Sequence, residues 1–277
     1  MDLYPSIRHH YWVDNLDPWL VHFSGNFGIR WYGVAYAAGI LFAAWIFSRW
    51  ARQGRLAMPV DQVGTLITYA AMGVLVGGRL GYCILYNAEE VLHHPLEILA
   101  VWHGGMASHG GILGLVFALW LFAHRRQIDL LQLLDAAAVG PLGIAFGRVA
   151  NFFNGELWGR PTTVPWAVIF PQAPLIQRAS VPRHPSQLYA CFIEGLLVFF
   201  IAQWIYARTT RLGLTTTVVC SLYGVGRFVD EFWRESDFGQ PVYWGWMSKG
   251  QLLTIPVIVI GIFLAIRQSQ QGAVPKG

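Results

Sequence analysis

About seven apolar stretches follow one another along this chain, each roughly 17–25 residues long, the length a helix needs to cross about 30 Å of hydrocarbon. They fall near 31–48, 62–86, 107–123, 130–150, 188–206, 214–230 and 250–267. Backbone in hydrocarbon must satisfy its own hydrogen bonds, so the pattern predicts an all-α membrane protein, a bundle of about seven transmembrane helices. Composition agrees: 55% of the 277 residues are hydrophobic and 12% charged, with a mean hydropathy of +0.44, too apolar for an ordinary soluble surface. The net charge of +4 comes almost wholly from arginine, Lys249 and Lys276 being the only lysines. Most arginines lie between spans, so the charge points to topology and not to nucleic acid.

Arg49, Arg52 and Arg55 follow the first span, Arg125 and Arg126 the third, Arg208 and Arg211 the fifth, and Arg267 and Lys276 the last, whereas Glu89, Glu90 and Glu97 lie on the other side. The positive-inside rule then predicts an outer N-terminus and a cytoplasmic C-terminus. The same orientation sends the segment 151–186 outward, where its prolines forbid a continuous helix and predict a small irregular cap of turns and short strands. We expect one integral membrane domain over 1–277, with that cap inserted between the fourth and fifth spans. The first thirty residues lack a basic start followed by an apolar core, so a cleaved signal peptide is not expected. They read as an aromatic arm at the membrane interface. Cys83, Cys191 and Cys220 fall inside apolar runs without a CxxC, which favours packing over disulfides or zinc.

Ionisable groups at membrane depth are costly, so each needs a partner or a function. Those within or beside spans are Arg79, His109, Asp135, Arg148, Glu194, Arg227, Asp230, Glu231 and Arg234. Arg148, in "GRVANFFNGELWGR", and Arg227 approach the outer half of the membrane from two different spans, and a guanidinium fork suits a phosphate. A lipid headgroup is the obvious phosphate. Asn151 and Asn154 can donate to its oxygens, while Glu156 and Glu231 can orient the guanidiniums. The blander alternative is snorkelling, or internal pairing with Asp135 or Glu231. His109 lies between two Gly-Gly pairs, open to close approach, and imidazole takes a proton near neutral pH; a histidine bonded to a neighbouring helix is the competing reading. His103 with His109, or His93 with His94, lacks acidic or cysteine ligands at suitable spacing, so no metal site is expected.

"HGG", "GRVANFFNGELWGR", "RHPSQLY" and "YGVGRFVDEFWRESD", in this order along the chain, resemble the bacterial prolipoprotein diacylglyceryl transferases, from "IRWYG" at 29–33 to about Arg234. Two positions depart from the family pattern: Ala150 where glycine is usual, and Ala190 where a glutamate commonly follows "HPSQLY". The resemblance implies transfer of a diacylglyceryl group from phosphatidylglycerol to the lipobox cysteine thiol of a prolipoprotein signal peptide, in the bacterial inner membrane. Glycerol 1-phosphate is the implied product, and no cofactor is implied. Carried over by position, the family's important residues fall at Tyr32, His109, Arg148, Asn151, Glu156, Gly159, Tyr223, Arg227, Glu231 and Arg234. On this reading His109, Arg227 and Arg148 act in catalysis and the others, with Arg148 again, hold the substrate. The competing function is a transporter or flippase for an anionic lipid or solute, which uses the same arginines without covalent change.

Overall fold

The computed structural model describes residues 11–24, 27–100, 105–176, 180–235 and 242–270. The chain runs through β1 (Trp12–Val13), β2 (Trp19–Ser24) and β3 (Phe27–Arg30), then α1 (Trp31–Arg52), α2 (Val63–Leu85), α3 (Ala88–His93), α4 (Ser108–Arg126) and α5 (Leu130–Ala136). After α6 (Gly140–Phe153) come two short strands, β4 (Val168–Ile169) and β5 (Pro182–Arg183). The next helix starts as α7 (Ser186–Ala190), widens into a π turn over Cys191–Leu196 and continues as α8 (Leu197–Arg208). Then follow α9 (Leu214–Asp230), the hairpin of β6 (Val242–Tyr243) and β7 (Met247–Ser248), and α10 (Lys249–Gln270).

The fold is mostly helical, and every expected apolar stretch contains a helix. Among the described residues, five helical stretches are long and apolar enough to cross a membrane: Trp31–Arg52, Val60–Leu85, Leu130–Phe153, Ser186–Arg208 and Lys249–Gln270. Local chemistry sets several of the ends. The Asp129 carboxylate accepts from Leu131 N at 2.7 Å and starts α5. Ser248 and Gln251 form a reciprocal capping box at the start of α10: Gln251 N donates to Ser248 Oγ and Ser248 N to Gln251 Oε1, at 3.1 and 3.0 Å.

The chain divides into two compact units, Met1–Gly39 with Ala138–Gly277, and Ile40–Ala137. In the second, α2 and α4 pack backbone to backbone. A Cβ placed on Gly114 would lie 2.8 Å from Gly77 Cα, and one on Gly81 2.7 Å from Gly110 Cα. Small residues at such crossings let apolar helices approach where hydrocarbon gives no solvophobic drive. Ala107 N donates to Gly78 O at 3.0 Å and ties the start of α4 to α2. Arg79, buried at 4% exposure, is spent inside this unit: it donates to the carbonyls of Ile98 and Glu97 and pairs with the Glu97 carboxylate at 3.4 Å.

In the first unit, β1 pairs parallel with β4, which pairs antiparallel with β5. This small sheet rests on the end of α6. Val168, Phe170 and Ala173 are buried against Phe152 and Trp158, and Trp12 stacks on Phe152 at 5.6 Å. The aromatics of the quoted stretch therefore fasten strands to a helix end. Asp14, next to β1, is 2% exposed; its Oδ1 accepts from Leu16 N at 3.2 Å, while Oδ2 has no hydrogen-bond partner among the described residues. Burial pushes its carboxyl above the usual range, partly offset by the Leu16 hydrogen bond. An acid whose folded pKa is raised favours the fold when protonated, and that benefit is lost as pH rises through the folded value. Asp14→Asn is therefore expected to gain thermal stability over the parent as pH rises above about 4, with the two melting together at lower pH.

Candidate active site

Arg148 lies two-thirds of the way along α6, and Asn151, three residues on, shares its face. The Asn151 amide donates to the Tyr32 hydroxyl and, at 3.0 Å, to Glu156 Oε1, while the Tyr32 hydroxyl donates to the same Glu156 oxygen. The first turn of α1, the end of α6 and the turn after it thus meet in one polar trio. Burial raises the Glu156 carboxyl above its ordinary range, which the nearby Arg30 guanidinium offsets only in part.

One turn back on α6, Arg148 Nη2 donates to Glu194 Oε2 at 3.1 Å. Glu194 Oε1 faces Arg227 Nη1 at 3.8 Å. Arg227, 4% exposed on α9, also pairs with Glu231 one turn on, and Arg234 Nη1 stands 4.0 Å from Glu231. Tyr223 is buried one turn before Arg227 on the same face. Ser248 Oγ donates to Glu231 Oε1 at 2.9 Å, so the capping box of α10 also orients this carboxylate. The result is an alternating chain of cations and anions, Arg148, Glu194, Arg227, Glu231 and Arg234, drawn from three segments of one unit. Internal pairing is real: Arg227 takes Glu231, as one alternative expected, but Arg148 takes Glu194 and not Asp135.

Close backbone approach makes this reach possible. A Cβ on Gly195 would lie 2.8 Å from Ala145 Cα, and one on Gly226 2.9 Å from Ile193 Cγ2. The residues on either side of Glu194 are thus pressed against the helices that carry Arg148 and Arg227. Gly195→Ala is expected to force α6 away from the π turn, costing about 1–3 kcal/mol of stability and a larger share of turnover than of melting temperature. Thermal melts and initial rates on the same preparation check this.

The signature motifs interlock through backbone. Arg183, 1% exposed, donates to the carbonyls of Gly159 and Pro174 at 3.3 and 3.2 Å and pairs with Glu235. Ser186 Oγ donates to Leu157 O at 3.0 Å and Gln187 Nε2 to Glu156 O at 2.6 Å. Gly159 N donates to His184 O at 2.9 Å, Arg160 N to Trp233 O at 2.8 Å, and Gly159 bridges Arg234. "RHPSQLY" thus clamps the turn that carries Glu156, and the chain after α9 closes it from the other side. No single residue of the sequence announces this clamp, since Ser and Gln on carbonyls leave no periodic mark.

Ala190 is buried at 1% exposure, and the carboxylate nearest along the chain is Glu194, one turn on. Ala150 is buried at 2% on α6. His109 is half-buried in the first turn of α4, within the second unit, on a start fixed to α2. His103 lies outside the described residues.

These features define a helical, multi-pass membrane protein that commits buried and half-buried arginines to a shared set of carboxylates beside a clamped turn. A prolipoprotein diacylglyceryl transferase family model matches residues 18–267. A Vibrio campbellii protein named phosphatidylglycerol–prolipoprotein diacylglyceryl transferase is 40% identical over 259 residues, 93% of each chain. A relative of the same name from Cupriavidus pinatubonensis is 43% identical, covering 92% of this chain and 94% of its own, and one from Nitratidesulfovibrio vulgaris is 40% identical over 88% and 91%. The chain belongs to the prolipoprotein diacylglyceryl transferase family, and it is a transferase.

Proposed function

We propose that this protein transfers the diacylglyceryl group of phosphatidylglycerol to the lipobox cysteine thiol of a prolipoprotein signal peptide, the first step of lipoprotein maturation. It works in the bacterial inner membrane as a bundle of about seven spans, N-terminus outside and C-terminus in the cytoplasm, with residues 151–186 as a cap on the outer face. The asymmetry of arginines between loops supports this orientation, since basic residues gather at alternate loops.

The observation that carries the reading is the pairing of Arg148 and Arg227, from two helices, with one fully buried carboxylate, in a chain whose relatives are named for phosphatidylglycerol and prolipoprotein. The peptide sulfur attacks the glycerol carbon that bears the phosphate. A carbon–sulfur bond forms as the carbon–oxygen bond breaks, and the bonding pair leaves with glycerol 1-phosphate. His109 accepts the thiol proton, because the thiolate is the nucleophile and a free thiol has a pKa of about 8.5. Arg227 and Arg148 meet the charge that grows on the departing phosphate in a poorly solvated site. Tyr32, Asn151, Glu156 and Tyr223 position the headgroup and the arginines, and Gly159, Glu231 and Arg234 complete the binding wall. No cofactor or metal enters this chemistry. The transport reading has no support from the relatives' names.

Purified protein given phosphatidylglycerol with labelled acyl chains and a lipobox peptide tests the proposal. The peptide should gain a diacylglyceryl group with one glycerol 1-phosphate released for each; a peptide of unchanged mass refutes it.

A further inference from the structure

Glu194 is fully buried at 0% exposure, yet the chemistry above gives it no task. It stands on a π turn, a rare geometry that inserts an extra residue into a helix and often marks a functional position. Its two oxygens are used unequally. Oε2 accepts a hydrogen bond from Arg148 Nη2 at 3.1 Å, whereas Oε1 has no hydrogen-bond partner among the described residues and meets Arg227 Nη1 only at ion-pair distance, 3.8 Å. Arg227 Nε, also buried, has no hydrogen-bond partner among the described residues. Arg148 is therefore bound to the carboxylate, and Arg227 is only balanced by it.

We infer that Glu194 is a positioning residue that sets different tasks for the two arginines, fixing Arg148 as the cation that binds the lipid phosphate and only balancing Arg227, which is anchored to Glu231 instead, as the cation that meets charge on the leaving phosphate. This inference rests on the proposed phosphatidylglycerol chemistry. Two guanidiniums this close repel each other, and a carboxylate between them lets Arg227 stay buried beside a half-buried Arg148. It also competes with the lipid phosphate for them, so ground-state binding is held down while the departing phosphate, carrying more charge, competes better.

Glu194→Gln separates these effects. The amide oxygen keeps the Arg148 bond, the negative charge is lost, and an N–H donor is turned towards Arg227. The apparent KM for phosphatidylglycerol should fall several-fold, binding measured by native mass spectrometry in detergent should tighten in step, and kcat should fall on the order of a hundredfold as Arg227 is displaced. Glu194→Asp keeps the charge and should return KM towards the parent value while kcat stays reduced, because the shorter side chain draws back from both arginines. A merely structural role predicts the opposite split: KM raised and kcat lowered together, in proportion to lost melting temperature, in both variants.

That pattern overturns the inference, as does a Gln variant with parental kinetics, and so does failure of both variants to fold. If Gln alone fails to fold, the Asp variant decides, with near-parental KM and reduced kcat supporting the inference and any other pattern refuting it. A parent protein that binds phosphatidylglycerol but never modifies the peptide refutes the transfer reading, and the native-mass comparison then stands alone: tighter lipid binding in Glu194→Gln keeps the charge-balance part, and unchanged or weaker binding removes it.

Discussion

Arg227→Lys is expected to fold and to bind phosphatidylglycerol yet lose about 10²–10³ in kcat, the size of the effect when one oxyanion donor is removed, about 2.7–4 kcal/mol of barrier. Lysine keeps a positive charge one turn from Glu231, so the buried carboxylates stay compensated, whereas alanine would leave them unpaired at a cost of about 3–5 kcal/mol of stability. What lysine lacks is the planar fork. Arg227 serves Glu231 and Glu194 through Nη1 and retains Nε, buried and without a hydrogen-bond partner among the described residues, for a third oxygen. A single ammonium cannot hold three acceptors in that fixed plane. Initial rates at saturating lipid, beside a thermal melt, separate lost chemistry from lost fold.

The other large effect is expected at His109. Without the imidazole, the thiol must lose its proton to solvent, and general-base assistance is worth about 10²–10⁴. His109→Ala should show that deficit near neutral pH and recover about tenfold per pH unit, levelling off as pH passes the thiol's own value of about 8.5. The sign follows from the nucleophile: raising pH supplies the thiolate that the side chain no longer makes. A variant whose rate does not rise with pH argues that His109 holds the peptide or the lipid and leaves the proton alone.

The helices were legible because hydrocarbon imposes one rule, and an apolar run of sufficient length has one use. The end of α9 at Asp230 and the near-coincidence of α2 with its expected stretch show how far that rule goes. Other features obey rules without a sequence period. The π turn at Cys191–Leu196 sits in an apolar run that reads as plain helix. Glu194 was recognisable as an ionisable group in an apolar run, but its partners were not, because Arg148 and Arg227 lie 46 and 33 residues away in sequence and pairing depends on Gly195 bringing backbones together and Gly226 making room for the Ile193 side chain. Arg183, Ser186 and Gln187 act on carbonyls, and a carbonyl has no letter in the sequence. Their resemblance to a family motif marked them without saying what they hold. Arg148, Arg227 and Glu231 were within reach of reasoning, since each is ionisable within or beside an apolar span, where charge needs a cause.

In the proposed chemistry, the guanidiniums gathered on Glu194 grip the phosphate of phosphatidylglycerol. Solid-state NMR recoupling between ¹⁵N-labelled arginine side chains and lipid ³¹P, in bilayers of this protein with phosphatidylglycerol, measures that contact itself. Strong dephasing is expected from guanidinium nitrogens within about 4 Å of phosphorus, at hydrogen-bonding range, with one component lost in Arg148→Lys and another in Arg227→Lys. Dephasing that is absent, or that neither substitution changes, contradicts it.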